Sequence, residues 1–328
     1  MKFGLIGVGL IGRKRIESLL ELGHEVIGIY DSNQSTLREV SKIYNLRGYT
    51  SEENLFKEKP DCIMVCTTHN ALYDMAKKVL SSGINLFLEK PGVSNLDQAR
   101  DLYQIALSKE LRVGIGFNHR FHPAISLAKQ ITDQNKFGRI LYLRASYGHG
   151  GRPGMEKEWR CDKQISGGGE LIDQGPHLID LSRFFLGELK CEYSYINTYF
   201  WDTDVEDNVF LALSNEQEAL CWLHASWTEW KNKFSFEIFC EKGKLYITGL
   251  GRSYGEEKLI VYKMKPELGP PDIEEFYFPE EDSSWRDEII AFTESLKGGG
   301  AKVVSLEDLI KLHEIIDDVY NKNLISVN

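Results

Sequence analysis

Residues 2–31 read KFGLIGVGLIGRKRIESLLELGHEVIGIYD, and this stretch decides the fold of the first part of the chain. KFGLI is apolar and strand-like, and it runs straight into Gly7-Val8-Gly9-Leu10-Ile11-Gly12. A helical pattern of Leu10, Ile16, Leu19, Leu20 and Leu22 follows, and Gly23 stops it. EVIGIYD is a second strand that ends in Asp31, 19 positions beyond Gly12. A lone G-x-G-x-x-G is weak, because glycines are common in turns. Set between a strand and a helix, with an acid at the tip of the next strand, it is the dinucleotide-binding fingerprint. Gly7 allows the tight turn, Gly9 lets backbone amides approach a diphosphate, and Gly12 packs helix on strand. Gly7, Gly9, Leu10, Ile11 and Gly12 are therefore candidate cofactor contacts. Asp31 is expected to accept the adenosine ribose hydroxyls and to repel a 2′-phosphate, which favours NAD over NADP. Arg13, Lys14 and Arg15 oppose the helix macrodipole, a conflict that a bound anion relieves. For Lys14 and Arg15 the expectation is long side chains splayed into water.

Beyond Asp31 the alternation continues. The helix STLREVSKIY leads to the strand DCIMVCTT, then to the helix ALYDMAKKVLSSG and the strand INLFLEKP. NLDQARDLYQIALSKE and RVGIGFN complete the series as helix and strand. Such a run makes a doubly wound parallel sheet, the Rossmann arrangement, whose ligands lie beyond the carboxyl ends of the strands. Three of those ends carry polar groups: Thr67-Thr68-His69, Glu89-Lys90-Pro91 and Asn118-His119-Arg120. From about residue 121 the character changes. RILYLRASYG, KCEYSYINTYF, NVFLALSN, EALCWLHASW, FSFEIFCEKGKLYITG and KLIVYKM alternate as antiparallel strands, with CEKGK as a hairpin turn. The expected fold class is α/β, a Rossmann domain over 1–120 followed by an α+β domain over 121–328 with a large, mostly antiparallel, open-faced sheet. The carboxyl-terminal amphipathic helices are expected to pack back on the core. An open sheet rich in Tyr, Trp and Phe needs a partner on its free face.

The chain has 328 residues, 42% hydrophobic and 27% charged, with a formal net charge of −10. That length favours two domains, and that charge argues against a nucleic-acid or anionic-membrane surface. No apolar run approaches the roughly 18–20 residues of a membrane span, and the amino terminus does not read as a secretion signal. A cytoplasmic chain is expected. The six cysteines are scattered without a CxxC pair, so they read as reduced thiols. His119 and His122 have no matching pair at zinc-ligand spacing, and no metal is expected.

A second stretch, SGGGELIDQGPHLIDLSRFFLG at 166–187, reads as one amphipathic helix with a local bend at Gly175-Pro176. Spacing of four puts Asp173 and His177 on one face, and Asp180 lies three residues further along it. A carboxylate beside an imidazole fixes the ring's orientation and supports proton transfer. Gly167 to Gly169 are expected to let the backbone approach a ligand or the nucleotide domain.

GVGLIG, LFLEKP, GFNHRFHP and WRCD…SGGGELIDQGPHLID, in that order and spacing, resemble the glucose–fructose oxidoreductase / inositol dehydrogenase / rhizopine-catabolism (Gfo/Idh/MocA) family. The resemblance implies a hydride-transferring sugar or polyol dehydrogenase. Lys90 looks like the lysine beside the nicotinamide and the reacting hydroxyl, and Pro91 like the proline that shapes its turn, often after a cis peptide. Asp173 and His177 look like the pair that serves the hydroxyl proton, with Asp180 as support. Thr67, Thr68, His69, Glu89, Asn118 and Arg160 are the further cofactor candidates. Thr68 and Leu72 depart from the pattern, since many relatives carry proline and histidine there. Substrate choice is expected in YGHGGRPGMEKEWR at 147–160, where Tyr147, His149, Arg152 and Trp159 join Arg120 as candidates. Arg152 suits a phosphate or carboxylate clamp or, equally, a solvated loop position. The family likeness also implies a homodimer or homotetramer through the open sheet face. Two rivals remain open: an NAD-retaining glycoside hydrolase that works by transient oxidation, and a non-catalytic NAD-sensing regulator. The presence of Lys90, Asp173 and His177 counts against the regulator.

Overall fold

The computed structural model describes residues 1–300 and 303–325. The order begins β1 (Lys2–Ile6), α1 (Leu10–Glu21), β2 (Glu25–Tyr30), α2 (Gln34–Tyr44), α3 (Glu52–Phe56), β3 (Cys62–Val65), α4 (His69–Ser81), β4 (Asn85–Glu89), α5 (Leu96–Ser108) and β5 (Val113–Gly116). It continues α6 (Pro123–Asp133), β6 (Ile140–Gly148), α7 (Lys163–Ser166), α8 (Glu170–Asp173), α9 (Gly175–Leu186), β7 (Lys190–Asn197), β8 (Asn208–Ser214), β9 (Leu220–Ser226) and β10 (Lys233–Cys240). β11 (Gly243–Thr248), β12 (Glu257–Lys263), β13 (Asp272–Phe278), α10 (Ser284–Leu296) and α11 (Leu306–Ile325) close it. Two compact units result: Met1–Phe117 with Trp285–His313, and Asn118–Ser284 with the chain from Glu314.

In the first unit β1 to β5 form an all-parallel sheet of order β2-β1-β3-β4-β5. The strand order reverses between β1 and β3, so the crevice for a ligand lies at the carboxyl ends of those two strands. Both faces of the sheet are covered, which is why β3 and the Leu86–Phe87–Leu88 centre of β4 read as apolar runs. Phe3, Leu5, Ile16, Leu19, Ile29, Met64 and Phe87 form the core, joined by Ile289 and Phe292 of α10. Local chemistry sets the helix ends. Asn33 caps α2 by accepting from the Ser35 and Thr36 amides, and Asn45 ends that helix in the left-handed region at φ 51°.

In the second unit eight strands run β13-β12-β11-β10-β6-β9-β8-β7. All neighbouring pairs are antiparallel except β6 with β9, which is parallel and departs from the expected simple alternation. Glu241-Lys242 turns the β10–β11 hairpin, as CEKGK predicts. α6 and α9 cover one face, and Leu143, Ala145, Phe236, Ile238 and Leu223 point under them. The opposite face carries Tyr142, Arg144, Trp222, Phe239, Lys244 and Tyr246, and Tyr142 stacks on Phe239 with centroids 4.2 Å apart. No helix among the described residues is long and apolar enough to cross a membrane.

The 166–187 stretch is not one amphipathic helix. It breaks into the end of α7, then α8, then α9, with Gln174 as the joint between the last two. From Gly175 to Arg183 every residue of α9 is buried. Pro176, at the start of α9, has no amide to extend α8, so a new helix begins instead.

Candidate active site

The glycine loop forms the base of a nucleotide cradle in the first unit. Gly7 sits at φ +82°, and its amide donates to Tyr30 O at 2.9 Å, which ties the loop to β2. A side chain on Gly12 would place its first carbon 2.1 Å from Gly7 O, so helix and strand meet here only through glycine. Gly9 is different: a carbon built there meets nothing within 4 Å. Gly9 is also the N-cap of α1, where no side chain caps the helix and no acid stands in the first turn. An uncapped helix start facing open space is what a diphosphate needs. Leu10, 73% exposed, and half-buried Ile11 flank it. Asp31 accepts from the Val8 amide through Oδ2 and the Asn33 amide through Oδ1, both at 2.8 Å, which fixes its carboxylate at the tip of β2. The residues present fit a dinucleotide. Past β3, Thr67 Oγ1 donates to Thr68 O (3.3 Å), Thr68 Oγ1 donates to Asn70 Oδ1 (2.9 Å), and His69 is buried as the first residue of α4.

At the end of β4, the Gly92 amide donates to Glu89 O at 2.9 Å and closes a four-residue turn around a cis Lys90–Pro91 peptide. Lys90 is half-buried on this turn, and His313 Nε2 donates to Pro91 O at 3.2 Å. Glu89 is held from behind: Arg15 Nε lies 2.6 Å from its Oε1. Here the sequence expectation is corrected. Arg15 is fully buried, with Nη1 2.7 Å from Glu288 Oε2 and its guanidinium over the Phe87 and Trp285 rings at 4.6 and 4.5 Å. Burial opposes its charge, but Glu89 and Glu288 outweigh that and hold its pKa above the ordinary value. Lys14 is exposed as expected.

In the second unit an aromatic and imidazole cluster forms around α9. His177 stacks on His119 with centroids 3.7 Å apart and planes 19° from parallel. Tyr147, at the end of β6, lies 5.3 Å from His119, 6.1 Å from His177 and 4.9 Å from Tyr254. His119 Nδ1 donates to Asn118 Oδ1 (3.2 Å), and Asn118 Nδ2 donates to Ser284 Oγ (2.8 Å). Gln174 Nε2 donates to Tyr254 Oη (3.2 Å). Burial, and then the neighbouring phenol, pushes the Tyr147 hydroxyl well above its ordinary pKa, and burial raises Tyr254 too. Both stay protonated donors near neutrality. His119, Gln174 and Tyr254 were not singled out as site residues from sequence. His119 was visible in GFNHRFHP, but only its neighbours were assigned roles there.

The ionisable groups pair locally. Asp173 Oδ2 lies 3.4 Å from Arg160 Nε, and Arg160 stands over the Trp159 ring at 4.6 Å. Asp180 takes Arg120 in a buried two-pronged pair at 2.8 and 2.6 Å, so both facing donors of Arg120 are engaged inside the unit. Arg152 reaches Glu158 at 2.6 Å on the surface. His149 Nδ1 accepts from the Gly151 amide (2.9 Å), which puts the neutral ring's proton on Nε2. Burial lowers the His149 pKa although Asp173 works against that, so the ring is neutral at pH 7.

Of the three glycines, Gly167 faces open space, whereas the close approaches of Gly168 and Gly169 lie within the second unit. A carbon on Gly168 would lie 1.9 Å from Tyr320 Oη, and one on Gly169 would lie 1.9 Å from Glu206 O. Buried Glu206 gathers the segment: its Oε1 accepts from the Gly169 and Leu171 amides at 3.0 Å and from Tyr320 Oη at 2.8 Å. The start of the segment bearing Asp173 is thus clamped by a carboxylate no local pattern reveals. Among the described residues, no three metal-ligating side chains lie together.

Comparisons with known proteins agree with this layout. Residues 1–117 match the family described as "Oxidoreductase family, NAD-binding Rossmann fold", and residues 125–246 match "GFO/IDH/MocA C-terminal domain". The chain is 27% identical over 175 residues to the levoglucosan dehydrogenase of Pseudarthrobacter phenanthrenivorans, covering 52% of this chain and 45% of that protein. It is 26% identical over 185 residues to the glucose-6-phosphate 3-dehydrogenase of Bacillus subtilis, covering 55% and 52%. In both, the match spans about half the relative's length. A solved levoglucosan dehydrogenase in complex with NADH superposes with a TM-score of 0.88 at 20% identity, over 98% of this chain and 96% of that one, which speaks to the fold.

Proposed function

The chain belongs to the Gfo/Idh/MocA oxidoreductase family, with its NAD-binding Rossmann domain, and from that premise we propose that it interconverts a secondary alcohol and ketone of a sugar, polyol or nucleotide sugar. One observation carries the reading. The carboxyl edge of the parallel sheet presents the glycine loop, Asp31, the Thr67-Thr68 pair and Lys90 on neighbouring strand ends. The names of the two relatives, both sugar dehydrogenases, support the substrate class. NAD supplies the hydride acceptor when bound.

The chain's own residues handle the proton. His177 accepts it from the hydroxyl, the stack on His119 holds the ring's plane, and Asp173 sets the local field. The Lys90 ammonium is suited to stabilising negative charge that develops on a substrate oxygen. General acid–base help of this kind is worth on the order of 10²–10⁴ in rate. The protonated Tyr147 and Tyr254 hydroxyls suit the orientation of sugar hydroxyls. Arg120 and Asp180 support α9 from within. Asp31, as an anion at the ribose position, favours NAD over NADP. The free cysteines support a cytoplasmic setting. The aromatic outward sheet face supports a homodimer or homotetramer.

The test is a panel of free sugars, polyols, sugar phosphates, nucleotide sugars and aryl glycosides, each incubated with NAD and with NADP. Stoichiometric NADH formation with one of them, and a preference for NAD, is expected. Release of the aryl group with no net NADH would instead support the NAD-retaining glycosidase, which uses the same residues. Preference for NADP contradicts the role given to Asp31.

A further inference from the structure

We infer that Arg15 is a positioning residue for Lys90, gripping Glu89 from α1 so that the Glu89–Gly92 turn has a single geometry. The inference rests on the catalytic reading of Lys90. Four observations carry it. Arg15 is completely buried, and both Nε and Nη2 lie 2.6 Å from Glu89 Oε1, the side chain immediately before Lys90. Its Nη1 lies 2.7 Å from Glu288 Oε2 on α10, so one planar guanidinium joins α1, β4 and α10. Phe87 and Trp285 hold it, with ring centroids 4.6 and 4.5 Å from the guanidinium carbon. Gly116, aligned with Glu89 in the sheet, gives the pair the room it occupies: a carbon there would lie 2.8 Å from Glu89 Oε2 and 3.0 Å from Arg15 Nη2.

The chemistry explains why an arginine stands here. A buried cation is tolerated only when paired, and a rigid fork can serve two carboxylates from two elements at once, which a lysine ammonium on a flexible stem does less well. α1 is also the helix whose first turn carries the glycine loop. The same side chain therefore registers that loop with the turn bearing Lys90. Reacting groups must be held to about 0.5 Å, and a displacement of about 1 Å can cost roughly a hundredfold in rate. Loss of the grip should therefore appear in turnover rather than in cofactor affinity.

The experiment compares wild type, Arg15→Lys, the charge-balanced Arg15→Met/Glu288→Gln pair and Lys90→Ala. It measures kcat and KM for the sugar that the panel identifies, NADH affinity by fluorescence, and Tm. Arg15→Lys is expected to fold and to lose about tenfold or more in kcat, with KM and NADH affinity within about threefold. The charge-balanced pair should stay low in kcat, because Glu89 still lacks its holder, and in Tm, because that buried carboxylate is left unpaired. Wild-type kcat in Arg15→Lys or in the pair overturns the inference. If Lys90→Ala itself keeps full turnover, the functional reading fails first, and the two failures are told apart.

Discussion

Gly9 and Gly12 stand three residues apart in one loop, yet they answer to different constraints. Gly12 is pressed against Gly7 O, so Gly12→Ala is expected to lose about 1–3 kcal/mol of stability through overpacking. Gly9 faces open space at φ −67°, so Gly9→Ala should leave Tm nearly unchanged and weaken NADH binding by about tenfold, roughly 1.4 kcal/mol. Thermal melts and a fluorescence titration check both; a Gly9→Ala protein that melts early but binds normally would reverse the assignment. The fingerprint itself was legible because its glycines and Asp31 act over short sequence distances. Arg15 was not. Its partner Glu89 lies 74 residues away and Glu288 lies near the far end of the chain, so nothing local distinguishes it from the exposed Lys14 beside it.

At the scale of elements, the segment from Gly167 to Leu186 shows both what periodicity reveals and what it misses. The i, i+4 spacing of Asp173 and His177 implies one helix face, but the two stand on separate helices, because Gln174 and Pro176 divide the segment, and Asp173 Oδ2 meets Arg160 Nε at 3.4 Å. The glycines proved to be shaped by Glu206 and Tyr320, from distant parts of the chain. Burial raises the Glu206 pKa, against the backbone amides and the tyrosine that donate to it. For an acid held above its unfolded value, the stability it contributes is complete below about pH 4.3 and is lost as pH rises through the folded value. Glu206→Gln removes that loss. The variant's Tm should therefore exceed wild type at pH 7, with the difference shrinking toward pH 4. A difference independent of pH would mean the carboxyl keeps an ordinary pKa.

On the scale of the whole chain, the change from a parallel to a largely antiparallel sheet was visible in the strand and helix alternation. β13 was not, since DIEEFYF reads as an acidic run. It becomes a strand by pairing with the lysine-bearing β12, where Lys263 meets Glu274 at 2.6 Å. The parallel β6–β9 contact was hidden for a related reason, because register across a long insertion leaves no local signal. The outward face of this sheet, with Trp222 and Tyr142 exposed beside the Arg144–Glu237 pair, is the surface proposed to join copies of the chain. Trp222→Glu should shift the protein toward monomer in light scattering without lowering Tm by more than about 2 °C. A wild type already monomeric at high concentration would remove that proposal.

The most direct measurement follows NADH absorbance in the wild type, Lys90→Ala and His177→Ala with the best sugar of the panel, while fluorescence reports NADH binding. Turnover by the wild type, a loss of about 10²-fold or more in each variant, and cofactor affinity within about threefold in all three are expected. Undiminished turnover in either variant would contradict the catalytic reading.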